Sequence, residues 1–358
     1  MSLREPSEQE REALNSGTKP VAASHRFDEP ALDRWMRANV DGYRGGMKVR
    51  QFKGGQSNPT FQLLTPERSY ALRRKPHGAL LDSAHAIDRE HRVMTALRPT
   101  GFPVPATYGL CTDASVIGTW FYVMEMVEGR VLWDQSLPNL APAMRRAVFD
   151  AKIRTLAQLH AVDPIGIGLG DFGKPGNYMG RQVARWTRQY RASATQSVPE
   201  MDLLSAWLPA TLPPQERISV VHGDYRLDNM VFHSTEPRVL AVLDWELSTL
   251  GDPLADFTYL LSNWVGGQLG QLQDLSERGI PTFREAIDAY CAASGRSDIP
   301  HLDWYLAYCQ FRMAAISQGI AGRVRDGTAN SPEAVLAEQR VAPLARIGWA
   351  FAQRAGAV

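Results

Sequence analysis

The tightest constraint in this chain is a short ordered run, Val220-Val221-His222-Gly223-Asp224-Tyr225-Arg226-Leu227-Asp228-Asn229-Met230-Val231-Phe232, followed by Val239-Leu240-Ala241-Val242-Leu243-Asp244-Trp245-Glu246. Two apolar stretches flank a turn-prone Ser-Thr-Glu-Pro segment, a pattern that closes into an antiparallel hairpin. If Asn229 opens the first strand and Asp244 closes the second, the midpoint falls between Glu236 and Pro237, inside the turn. The hairpin then sets Asn229 beside Asp244. An amide oxygen next to a carboxylate is a hard-oxygen pair suited to Mg2+, an ion that takes few protein ligands and fills its octahedron with water and phosphate oxygens. Asp224, one loop upstream, is placed to accept the proton of a substrate hydroxyl as it attacks a phosphoryl group.

His222-Gly223-Asp224, with Asn229 five residues after the aspartate, resembles the catalytic loop of the aminoglycoside phosphotransferase and choline kinase-like superfamily. Leu243-Asp244-Trp245-Glu246 resembles that superfamily's metal-binding motif, and the likeness extends over about residues 45–330. It implies a small-molecule kinase with ATP or GTP and Mg2+ as cofactors. Asp224 would be the base and Asn229 and Asp244 the metal ligands, with His222, Asp252 and Asp256 bracing the site. Asp252 before Pro253 also reads as a helix N-cap with proline at the first helical position.

Other parts of such a site follow in order. Gly54-Gly55-Gln56-Ser57-Asn58 lies between strand-like segments, where small residues let backbone N–H groups approach phosphates. The resemblance implies that Ser57 and Asn58 cover the phosphates, and that the Glu125 carbonyl and Val127 N–H hold the nucleotide base at the lobe hinge. Glu90 stands out from the residues alone. It shares a helix face with Ile87, Met94 and Leu97, and a carboxylate in an apolar stripe needs a cation. Strand alternation in Tyr70-Ala71-Leu72-Arg73-Arg74-Lys75 puts Arg73 and Lys75 on one face and Arg74 on the other. The family pattern has a lysine where Arg73 stands, which makes Arg73 the expected partner of Glu90 and Lys75 the substitute.

At 358 residues the chain suits two units rather than one minimal core. Strand-like runs at Pro59–Leu64, Ser69–Arg74, Ala106–Leu110 and Trp120–Met124, with a helix over Ser83–Leu97, fill the first third. Beyond Gly129 the helical segments dominate, at Ala143–Ala161, Tyr178–Ser193, Pro253–Trp264, Phe283–Ala293, Leu302–Ile320 and Pro332–Ala355. The expectation is an α+β, two-lobed, protein-kinase-like fold with an antiparallel N-terminal sheet plus helix and a mainly helical C-terminal lobe. Its parts are a polar tail over residues 1–25, mobile or docking late, a nucleotide-binding lobe over 26–127, and a catalytic and substrate lobe over 128–358.

Composition narrows the partners. Lys+Arg 39 against Asp+Glu 38 leaves no global basic field for nucleic acid or anionic lipid. Cys111, Cys291 and Cys309 are too far apart to form a metal or redox pair, and no apolar run is long enough for a membrane span. A cytoplasmic protein without nucleic-acid or membrane partners is expected. Its partner is a small-molecule hydroxyl substrate; an aminoglycoside or other amino-alcohol acceptor and a catalytically silent nucleotide-binding scaffold stand as alternatives.

Ser83-Ala84-His85-Ala86-Ile87, Ser115-Val116-Ile117-Gly118-Thr119, Arg181-Gln182-Val183 and the run from Leu240 to Asp256 are further similar to the kinase-like domain joined to some acyl-CoA dehydrogenases. That resemblance implies a hydroxyacyl-CoA acceptor and a separate acyl-CoA dehydrogenase as partner. In the helix Tyr178–Ser193, Val183, Trp186 and Tyr190 share one face while Arg181, Arg185 and Arg188 share the opposite one. Such an arginine row would suit the phosphates of a CoA ester.

Overall fold

The structure, a computed structural model, describes residues 8–54, 58–76, 87–266, 270–327 and 336–358. Gly55 and Ser57, and the start of the helix expected at Ser83, lie outside the described residues.

Six antiparallel strands form the main sheet: β1 (Thr18–Lys19), β2 (Lys48–Phe52), β3 (Thr60–Leu64), β4 (Ser69–Arg74), β5 (Thr107–Cys111) and β6 (Phe121–Glu125). Their order is β1-β2-β3-β4-β6-β5. Period-two alternation sorts the sheet's residues between two cores. Tyr70 and Leu72 of β4 and Phe121 and Val123 of β6 face an outer cluster with Leu32 and Met36 of a helix over Glu29–Asn39. Ala71, Tyr122 and Met124 face inward, into the core that continues through the helical part. Arg73 follows the inward set and Arg74 the outward one. Arg74 is fully buried, its guanidinium carbon 5.4 Å and 5.2 Å from the rings of Phe27 and Phe61.

The expected tail is docked where it is described. A helix, α1 (Glu8–Asn15), precedes β1, and the helix over Glu29–Asn39 is α2. β1 pairs with β2 and forms the edge of the sheet, Lys53 Nζ donates to Ala13 O at 3.0 Å, and Trp133 Nε1 donates to Ser16 Oγ at 2.7 Å. The arm thus spans from the strand that leads into the glycine-bearing stretch to a tryptophan just past the hinge.

The helix behind the sheet, α3 (Ile87–Leu97), buries Ile87, Glu90, Val93, Met94 and Leu97. After β6 the chain enters β7 (Arg130–Val131), then α4 (Pro142–Ala161), α5 (Tyr178–Ser193) and α6 (Pro199–Ala210). The catalytic segment follows as β8 (Ser219–Val221), β9 (Met230–Phe232), β10 (Val239–Val242) and β11 (Thr249–Gly251), and then α7 (Pro253–Leu261), α8 (Phe283–Ser294), α9 (Leu302–Arg325) and α10 (Ala337–Arg354). β9 and β10 form the expected hairpin, with Met230 opposite Val242, and β7 pairs on the far side of β9. No described helix is long and apolar enough to cross a membrane.

Candidate functional site

The hairpin fixes the centre of the site. Leu243 N–H donates to Asn229 O at 2.8 Å, so the residue before Asp244 is tied to Asn229 at the open end of β9 and β10. Asp244 has φ +65°, a left-handed conformation that aspartate tolerates better than most side chains, and it starts a short 3-10 turn over Trp245–Leu247. The Asn229 amide nitrogen donates to Asp224 O at 2.9 Å and to Asp224 Oδ2 at 3.1 Å. Its remaining side-chain atom is an oxygen, the ligand-type atom of the pair. Among the described residues no group of three or more His, Cys, Asp and Glu forms a metal cage. Two hard oxygens at one hairpin end are nevertheless what an ion that keeps most of its water and phosphate ligands requires, so the donor set fits Mg2+.

Asp224 is held from three sides. Asn229 takes Oδ2, Tyr259 OH donates to Oδ1 at 3.0 Å, and Arg226 Nε lies 3.4 Å from Oδ1. Its side chain stays 28% exposed, so the carboxylate is fixed in direction yet open to a substrate.

The loop carrying it is braced from below. Asp256 is buried and accepts the His222 and Gly223 N–H groups at 2.5 Å and 2.9 Å. Burial opposes its charge, but His160, 3.7 Å away, together with these donors holds its carboxyl below the usual range. His222 Nε2 donates to Leu243 O at 2.9 Å while Nδ1 accepts Asp224 N–H at 3.2 Å; one neutral tautomer satisfies both and ties base to metal motif. Asp252 caps α7 through Leu254 N–H at 3.0 Å and accepts Tyr305 OH at 2.6 Å. Burial raises its carboxyl above the usual range against those bonds. Arg312 of α9, buried between the rings of Trp186 and Tyr259, donates to Gly223 O.

From the sheet side, Arg73 closes the arrangement. Its Nε lies 3.0 Å from Glu90 Oε2, its Nη2 2.5 Å from Asp244 Oδ1 and 3.7 Å from Glu246 Oε2. The Glu90 contact is a charge pair rather than an aligned hydrogen bond. Burial works against the guanidinium charge, yet the surrounding carboxylates hold it above its ordinary range. Glu90 is 1% exposed; burial pushes it up to about 7, opposed by Arg73 and by the Tyr122 hydroxyl at 3.1 Å. Lys75 instead lies by the Trp120 ring, 5.7 Å from its centre, so the Glu90 ion pair falls on Arg73.

The remaining expected residues divide. Gly54 abuts the docked arm: a Cβ there would lie 3.1 Å from Asn15 O. The Asn58 side chain is buried and donates to Glu90 at 3.0 Å and to Glu246 at 3.5 Å. At the hinge, Glu125 turns its carboxylate to Ala106 N–H at 3.0 Å, and among the described residues Val127 N–H donates to no backbone carbonyl. Arg181 departs from the expected row. Its guanidinium donates to the carbonyls of Lys174, Pro175 and Gly176, closing the loop before α5, while Arg185 and Arg188 remain exposed. Tyr259, Arg226, Glu246 and Arg312 were not singled out from the sequence. Arg226 and Glu246 stand inside the two motifs and were within reach; Tyr259 and Arg312 join only through tertiary packing.

Known proteins resemble this chain in sequence and in fold. Residues 48–304 match the family model described as "Phosphotransferase enzyme family". The chicken protein named acyl-CoA dehydrogenase family member 11 is 44% identical over 355 residues, covering 96% of this chain and 46% of that protein. The chain spans less than half the length of the curated relatives it matches. A crystal structure from Ralstonia eutropha, described as an aminoglycoside phosphotransferase, is 51% identical, with TM-score 0.84 over 92% of this chain and 99% of the other. Spectinomycin phosphotransferase APH(9)-Ia, solved with ADP and spectinomycin, is 12% identical with TM-score 0.58 over 92% and 99%, a likeness of fold alone.

Proposed function

This chain belongs to the phosphotransferase enzyme family, and we propose that it is a magnesium-dependent small-molecule kinase. It transfers the γ-phosphoryl group of ATP or GTP to a substrate hydroxyl. The observation that carries this reading is the Asp224 carboxylate, oriented by Asn229 and Tyr259 and left partly open at the hairpin end, where Asn229 is tied to the residue before Asp244. Asp224 accepts the proton of the attacking hydroxyl. Asn229 and Asp244 would hold Mg2+, which when bound draws charge from the transferring phosphate. An arginine serves here where a lysine could not: the planar fork of Arg73 lets one side chain hold Glu90 at Nε and Asp244 at Nη2, bracing the metal motif beside the nucleotide. In this reading the Glu125 carbonyl and Val127 N–H would hold the nucleotide base, and Gly54 and Asn58 would flank the loop that covers the phosphates. Among these, the Asn58 side chain acts through Glu90.

For the acceptor we propose a hydroxyacyl-CoA, supported by the relatives named as acyl-CoA dehydrogenase family members and by the exposed Arg185 and Arg188. A separate acyl-CoA dehydrogenase would then use the phosphorylated product. Cys111, Cys291 and Cys309 are free and buried, in keeping with a reducing cytoplasmic compartment. The test is nucleotide consumption with Mg2+ across hydroxyacyl-CoAs, free hydroxy acids, choline-like alcohols, sugars and aminoglycosides. Turnover on a CoA ester is expected; turnover on an aminoglycoside alone would overturn the acceptor assignment, and no turnover or nucleotide binding would overturn the kinase assignment.

A further inference from the structure

Two residues after the base stands a guanidinium that the mechanism above does not use. Arg226 Nη2 lies 2.6 Å from Asp228 Oδ2, and its Nε lies 3.4 Å from Asp224 Oδ1. Asp228 is itself anchored, since Gln135 Nε2 donates to its Oδ1 at 3.3 Å. Gln135 Oε1 in turn accepts Lys152 Nζ and Leu227 N–H, each at 3.4 Å. A row of polar groups therefore runs from a buried lysine of α4 to the base, with Arg226 as its last member. Among the described residues its Nη1 has no acceptor, and the side chain is 44% exposed.

In this arrangement the arginine occupies a place it must leave. Asp224 Oδ1 already takes the Tyr259 hydroxyl at 3.0 Å, and a cation on the same oxygen competes for the lone pair that would receive the substrate proton. The contact is long, whereas the Asp228 contact is short, so the head is fixed at Asp228 and loosely placed at the base. An anion arriving beside Asp224 would take the loose half. In a kinase that anion is the γ-phosphoryl group, whose equatorial oxygens gain charge during transfer and match the donor fork of arginine. Arg73 is engaged by three carboxylates, and Arg312 is buried behind the Gly223 carbonyl.

We propose that Arg226, held by Asp228 and Gln135, is the catalytic residue that contacts the transferring phosphoryl group, an inference that rests on the kinase reading. The bond from the γ-phosphorus to its bridging oxygen breaks, with its electron pair staying on the β-phosphate. The substrate oxygen bonds to the phosphorus, its proton goes to Asp224, and Arg226 balances charge on the three equatorial oxygens.

The test needs no acceptor. Binding of Mg-ADP, and of Mg-ADP with aluminium fluoride as mimic of the transferring group, is measured by calorimetry for the wild type, Arg226→Ala and Arg226→Gln. Both variants should bind Mg-ADP within about twofold of the wild type and the fluoride complex about tenfold or more weakly, since only the latter presents the charge-bearing group. Arg226→Gln retains a donor for Asp228 and serves if Arg226→Ala fails to fold. Equal losses for both ligands, or none for either, would overturn the role of Arg226 alone. A wild type that binds neither ligand would remove the kinase reading and this inference with it.

Discussion

Arg73 shows what one side chain can decide at this site. A lysine ammonium is a single point donor, whereas the guanidinium reaches Glu90 through Nε and Asp244 through Nη2 at once. Arg73→Lys should keep the Glu90 charge pair but lose the second arm, raising the KM for nucleotide by roughly tenfold in steady-state kinetics, the loss of one charge-assisted hydrogen bond. Unchanged nucleotide KM would remove the two-armed role. Alternation and a carboxylate in an apolar stripe are local signals that narrowed the partner of Glu90 to Arg73 or Lys75, and the family pattern put Arg73 first. Arg312 was not legible, since its partner Gly223 lies 89 positions away and nothing in α9 marks a buried arginine as a brace. Lys152 was equally silent. Burial, partly offset by Asp228, lowers its ammonium to about 7 from an ordinary 10.5. Between those values the unfolded chain binds the extra proton and the folded chain does not, so folding stability rises with pH there. Lys152→Met should remove that rise, and urea denaturation at pH 7 and pH 9 would show the wild type gaining on the variant; a constant difference would contradict the shift.

At the scale of elements, the loop between β8 and β9 and the turn after β10 depend on close backbone approach. Gly223 has φ +85°, and a Cβ there would lie 2.9 Å from Leu247 O. Gly223→Ala should therefore cost about 2 kcal/mol or more, combining left-handed strain with a backbone clash; a variant as stable as the wild type in denaturant would contradict this packing. In α5, Arg185→Ala with Arg188→Ala should raise the KM for a CoA ester and leave that for nucleotide unchanged. Unaltered kinetics on a confirmed CoA substrate would refute the docking role. The hairpin and α5 were readable because their patterns are strong and local. α6 was not among the expected helices. Its apolar residues fall around the whole cylinder and Pro209 sits near its end, so no single stripe announces it. α9 runs on to Arg325, beyond the expected end at Ile320, because buried residues on several faces hide where its amphipathic signal stops. The arm of α1 and β1 was read as a polar tail; its ties are one strand pair and a few side-chain bonds, which leave little hydrophobic signature.

Across the whole molecule, a strand-rich first third and a helix-rich remainder were enough to read the α+β two-lobed architecture. The inner face of the sheet shares one core with the helices, and that continuity carries Arg73 and Glu90 to the hairpin that holds Asp244. The acceptor was not legible, because no ordered motif in the helical part marks the residues that would contact it. What the kinase reading requires of the molecule is that binding and transfer be separable at one carboxylate. The most direct measurement is therefore phosphoryl transfer from γ-labelled nucleotide, made alongside Mg-nucleotide affinity, for the wild type and Asp224→Asn. Asp224→Asn should bind Mg-nucleotide as the wild type does while transfer falls by about 10²–10⁴-fold, the range for loss of a general base. Equal transfer by the two proteins would contradict Asp224 as the base.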